Sequence, residues 1–69
     1  MEKIKEAQEV YLKTVTVNPN HMDAWVNLSI SSFKAGDYKD AVKYCDEAIL
    51  LGYEPPKLYL EELEKYRNK

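Results

Sequence analysis

His21 and Cys45 are the two side chains with which this chain could attempt nucleophilic chemistry. A thiol becomes reactive only as a thiolate, and His21 is the sole imidazole available to act as its base. The helical pattern described below puts Cys45 on the inward face of a third helix and His21 in the turn before a second. The two therefore lie near opposite ends of their helices, and the pair is rejected as a catalytic unit. A lone cysteine cannot close an internal disulfide. No Cys/His set has zinc spacing, and two glycines are too few for a phosphate-cradling loop. Glu61, Glu62 and Glu64 form a short acidic run that reads as a solvated helix face rather than a metal site. These residues predict no enzyme, no cofactor and no metal.

Composition narrows the remaining classes. The chain has 69 residues, 45% hydrophobic and 32% charged, which suits one small globular domain. Lys and Arg number 10 against 12 Asp and Glu, a net charge of −2. That balance favours neither nucleic acid nor an anionic membrane surface as partner. The longest apolar stretch, Ala48 to Leu51, is far short of the roughly 20 residues that span a bilayer. The opening Met-Glu-Lys-Ile-Lys-Glu lacks the apolar segment of a signal peptide. The expectation is a soluble, cytoplasmic domain.

Proline and glycine divide the chain at Pro19, Gly36, Gly52 and Pro55-Pro56, and the apolar spacing between them is helical. A first helix runs from about Glu2 to Val17, with Ile4, Ala7, Val10, Tyr11, Thr14 and Val15 on one face, and stops before Pro19. Asn20 is positioned to cap a second helix, which ends near Ala35 with Gly36 as a left-handed stop. Asp37 is positioned to cap a third, running from Tyr38 to about Leu51 and ended by Gly52. A fourth begins near Pro56 and runs to about Arg67. Linkers this short predict an all-α fold of four antiparallel helices.

The chain also repeats itself. At a spacing of 34 residues Ile4 aligns with Tyr38, Lys5 with Lys39, Ala7 with Ala41, Tyr11 with Cys45 and Val15 with Ile49. The same offset aligns Trp25 with Tyr59 and Val26 with Leu60. Trp25, Leu28, the Gly36-Asp37-Tyr38 turn, Ala41 and Ala48 stand where the W-x2-L-G-x2-Y…A-x3-F…P pattern places such residues. On these residues the chain resembles the tetratricopeptide repeat family, and the resemblance covers nearly its whole length. It implies a short α-solenoid in one domain, residues 1–69. Residues 2–19 would be the second helix of a preceding half repeat, 22–55 a complete repeat and 56–69 a terminal capping helix.

The departures are specific. Ser29 replaces a small glycine, Ser32 and Cys45 replace aromatics, Tyr53 stands where the proline belongs and Glu62 where the leucine belongs. Glu62 suggests a polar outer face on the last helix, as the end of a repeat array requires. Helix one lacks its usual partner helix, and whether the chain starts there or belongs to a longer array stays open. Small residues facing large ones are expected to form the core, with Ala7, Ala41 and Ala48 against Trp25, Leu28, Tyr38, Tyr44, Ile49 and Tyr59. Trp25 is the expected buried anchor.

The second helix is apolar on two faces. Trp25, Leu28, Ser29 and Ser32 form the inward one, and Val26, Ile30 and Phe33 form another. The resemblance implies that the latter lines a concave groove for a partner segment. That groove comprises Asp23, Val26, Asn27, Ile30, Phe33 and Lys34 from helix two, with Lys57, Leu60, Glu61 and Glu64 from helix four. The alternative is that neighbouring helices partly cover Val26, Ile30 and Phe33. An open groove favours an apolar or amphipathic protein segment. Some family members grip a C-terminal carboxylate, but only Asn27 and Lys57 match that set and Glu61 replaces its arginine, which argues against such a ligand. The functional expectation is a non-enzymatic protein-binding module. The alternative is a self-assembling structural unit, forming a homodimer or exchanging helices by domain swapping.

Overall fold

The computed structural model describes residues 2–67, the side chain of Glu2 excepted. Four helices follow in order, α1 Glu2–Val17, α2 Met22–Lys34, α3 Tyr38–Leu50 and α4 Lys57–Arg67. Among the described residues there is no strand, and each helix packs on its neighbour in the chain. The fold is all-α, as the apolar spacing predicts. Asn68 and Lys69, which follow the fourth helix and are expected to fray, lie outside the described residues.

The turns show why the helices stop where they do. After α2, Gly36 takes φ +85°, its N–H donates to Phe33 O at 3.1 Å, and the Asp37 N–H donates to Ser32 O at 2.8 Å. After α3, Gly52 takes φ +108°, its N–H donates to Ile49 O at 2.9 Å, and the Tyr53 N–H donates to Ala48 O at 3.0 Å. Both ends are Schellman motifs, which satisfy carbonyls the helix leaves bare and need a residue in the left-handed region. The same motif used twice turns the chain back on itself in the same way each time.

Two capping expectations need correction. The N-cap of α2 is His21, whose Nδ1 accepts from the Ala24 N–H at 3.2 Å, and not Asn20. Asn20 is spent one step earlier, its N–H donating to Asn18 Oδ1 at 3.2 Å in the turn around Pro19. Asp37 is the N-cap residue of α3, but its side chain makes no capping bond. It also serves as the last residue of the preceding Schellman motif, and at φ −88°, ψ 69° it lacks the extended backbone that aims a capping carboxylate at the helix. At α4 the Leu60 N–H donates to Pro56 O at 3.1 Å, so the proline precedes the helix and loses nothing by lacking its own N–H.

Two apolar clusters hold the helices together. Val15, Ala24 and Leu28 are buried together where α1 meets α2, flanked by Tyr11, Trp25 and Tyr44. Ala41, Val42, Cys45 and Leu63 are buried where α3 meets α4, flanked by Phe33, Tyr53, Tyr59 and Tyr66. Ala41 and Ala48 are fully buried, as expected of small residues at close helix contacts. Trp25 is only half-buried: its indole N–H donates to Pro19 O at 2.7 Å and its ring lies 5.9 Å from that of Tyr44. An indole carries a polar edge that must find a partner, so Trp25 sits at the rim and ties α2 to its entry turn. Ile49, expected in the core, is 38% exposed. Val42 and Leu63, which the sequence reading did not place in the core, are buried.

Candidate functional site

The catalytic pair rejected from the sequence is also far from chemical use in the fold. His21 is an exposed capping residue and Cys45 is fully buried. Burial pushes the Cys45 thiol up from its ordinary pKa and the Asp46 carboxylate adds to the rise, against a smaller pull downward from Ser29 and Arg67. A thiol so held stays protonated and is a poor nucleophile. Among the described residues, no group of three or more His, Cys, Asp or Glu side chains could hold a metal ion.

The groove residues are brought together by α2 and α4, which touch through one aromatic side chain. The Tyr59 hydroxyl lies 2.7 Å from Ser29 Oγ, and the Tyr59 ring lies 5.6 Å from that of Phe33 at 61°. In sequence the 34-residue offset pairs Val26 with Leu60, Asn27 with Glu61, and Ile30 with Glu64. Of the predicted set, Asp23, Ile30, Lys34, Lys57, Glu61 and Glu64 are exposed. Val26, Asn27, Phe33 and Leu60 are half-buried.

Phe33 is the residue whose role changes. Its ring packs edge-on against Tyr38 at 5.1 Å and against Tyr59 at 5.6 Å, while Tyr38 stacks on Tyr66 at 4.3 Å. These four rings join α2, α3 and α4. Phe33 is thus packed among these rings against the α3–α4 core, and Val26 is half-buried as well. Ile30, one turn earlier, stays 38% exposed and becomes the apolar centre of the face.

Charge around the face is uneven. Lys57 stands at the end where α4 begins, and Lys34 at the end where α2 stops. Arg67 is committed to α3, donating from both terminal nitrogens to Asp46 at 2.8 and 3.0 Å, and its Nε reaches Glu64 at 3.2 Å. These bonds hold the guanidinium above its ordinary pKa, with Asp46 the main cause. Glu62 pairs with Lys65 at 3.2 Å within α4. Among the described residues Glu61 enters no ion pair.

Cavities of measurable volume lie elsewhere. A cleft of about 400 Å³ is lined by Ile4, Lys5, Gln8, Ala35 and Asp37, between the start of α1 and the α2–α3 turn. Another of about 260 Å³ follows the backbone from Gly36 to Asp40. Neither contains a predicted groove residue.

Comparison with known proteins identifies the architecture. The tetratricopeptide repeat family matches residues 22–53, so the chain contains a tetratricopeptide repeat. The tetratricopeptide repeat-containing protein trd-1 of Caenorhabditis elegans is 34% identical over 59 residues, covering 86% of this chain. The chain spans 8% of that relative's length. No solved structure matches it. Domains of this family generally mediate protein–protein interaction and are typically non-enzymatic modules. Among the described residues no helix is long and apolar enough to cross a membrane.

Proposed function

We propose that this chain is a non-enzymatic module that docks an apolar or amphipathic protein segment on the face between α2 and α4. The observation that carries the reading is Ile30, an isoleucine 38% exposed one turn after half-buried Val26. Val26, Ile30 and Leu60 supply apolar area, and the Asn27 amide can both donate to and accept from a bound backbone. In this reading residues 2–19 act as a half repeat, 22–55 as a complete repeat and 56–69 as a cap. The cytoplasm is the compartment that suits its single unpaired thiol.

The test is selection of peptides from a random library on the wild-type chain, followed by binding to variants. Ile30→Asp should weaken the selected peptides by tenfold or more, on the order of 1.4 kcal/mol. Circular dichroism should show unchanged helicity. Val17→Asp, on the far side of α1, should leave binding unchanged. Binding that survives Ile30→Asp would sink the groove. Phe33→Asp is a poor probe, because it would place a charge among the rings that join three helices.

A second reading, self-association, rests on α1. Val10 is 60% exposed and Val17 87% exposed on its outer side.

A further inference from the structure

Resting on the docking face just described, we infer that its occupant is a basic amphipathic segment, one whose Lys or Arg side chains meet the carboxylates of Glu61 and Glu64 while its apolar side covers Val26, Ile30 and Leu60. The placement of charge carries this. Of the face's residues α2 offers Val26, Asn27 and exposed Ile30, and α4 offers Leu60 and the exposed carboxylates of Glu61 and Glu64. Lys57 lies one turn before Glu61 and Lys34 lies at the opposite end on the other helix, while Arg67 is drawn toward α3 by its two bonds to Asp46. Lys65 lies one turn after Glu61 and is paired with Glu62. Glu64 shares one oxygen with Arg67 yet keeps an open, exposed carboxylate, and Glu61 is exposed and enters no ion pair among the described residues.

An acidic segment would set like charges against Glu61 and Glu64, which costs affinity and slows encounter, whereas a basic one gains on both counts. Glu61 and Glu64 are one helical turn apart, so two basic residues one turn apart on a helical ligand would reach both. The same two carboxylates exclude a ligand whose recognition depends on a free terminal carboxylate at this point of the face.

The experiment uses two synthetic amphipathic peptides that share one leucine-rich side and differ only in carrying Lys or Glu beside it. Binding to the full chain is followed by calorimetry at low and at high salt. The Lys peptide should bind about tenfold more tightly than the Glu peptide at low salt, the scale that two exposed ion pairs reach, and the gap should close as salt is raised. Glu61→Lys, an exposed substitution checked for unchanged helicity, should abolish most of that preference. Equal binding of both peptides, or preference for the Glu peptide, with sensitivity to Ile30→Asp would overturn the basic occupant and leave the docking face standing. Binding of neither peptide, or binding indifferent to Ile30→Asp, would overturn both.

Discussion

Ser29 connects three helices through one hydroxyl. It donates to the Ala41 carbonyl of α3 at 2.7 Å, so the Tyr59 hydroxyl of α4, also at 2.7 Å, must be the donor to Ser29. Glycine, the family's usual residue here, could make neither bond, and a larger residue would part α2 from α3. The arrangement has a pH consequence. Burial raises the Tyr59 pKa above its ordinary 10.0, partly opposed by Ser29, which can serve an ionised Tyr59 only by withdrawing its hydrogen from Ala41. Burial, and then Asp40 and Asp37, raise Tyr44 likewise. A tyrosine whose folded pKa exceeds its unfolded value contributes stability that is complete below pH 10 and is lost as pH rises through the folded value. Alkaline titration followed by tyrosinate absorbance and circular dichroism together should therefore show late-ionising tyrosines whose titration accompanies loss of helix. Tyr59→Phe should remove one late step. Uniform ionisation at the ordinary value with helicity intact would contradict this burial.

At the scale of elements, α4 is the least secured helix, because it packs on one neighbour along the chain where α2 and α3 each pack on two. Two devices hold it. Leu63 is fully buried against α3, and the forked Arg67–Asp46 pair closes the end. The pair is partly exposed, at 31% and 44%, so solvent screening limits it to about 0.5–1 kcal/mol. Removing buried leucine atoms costs about 2–5 kcal/mol. Leu63→Ala should therefore lower the urea midpoint several times more than Arg67→Gln, and only the Arg67→Gln effect should shrink in high salt. The reverse ranking would show that charge rather than packing seats this helix. Leu63 was also the core residue least legible in the sequence. The repeat offset equates it with Ser29, a position that must be small where two helices touch closely, and the repeat pattern places its leucine at Glu62 beside it. The stripe of Tyr59, Leu63 and Tyr66 at i, i+4 and i+7 was the signal available. Helix ends read more easily, since Gly36 and Gly52 are the only glycines and each ends a helix. The α2 cap did not, because Asn20 and His21 both accept hydrogen bonds and only the preceding turn decides between them.

For the whole molecule the question is which surface is left for other chains. The face between α2 and α4 was legible as a set of positions, since the 34-residue offset pairs its residues. The sequence could not show that the Phe33 ring is spent on Tyr38 and Tyr59, because that depends on how three helices converge. Two other surfaces compete for a second copy. Head-to-tail growth would set the outer side of α4 against α1 of the next copy, but there the exposed Leu58 stands beside the Glu62–Lys65 pair. Burying that pair would cost more than the contact returns. On α1 the exposed Val10, Leu12 and Val17 are interleaved with Lys3, Lys5, Glu6, Glu9 and Lys13, which breaks the apolar area into small pieces. Charges at that density oppose the dry, continuous patch a stable dimer requires. Sedimentation equilibrium from micromolar to millimolar concentration should thus return the 8.1 kDa of one chain. Should a dimer form instead, two variants identify its seat. Dissociation by Val10→Lys would establish assembly through α1 and leave the groove open to another protein. Dissociation by Ile30→Asp would put a second copy in the groove itself and make assembly the function of that face.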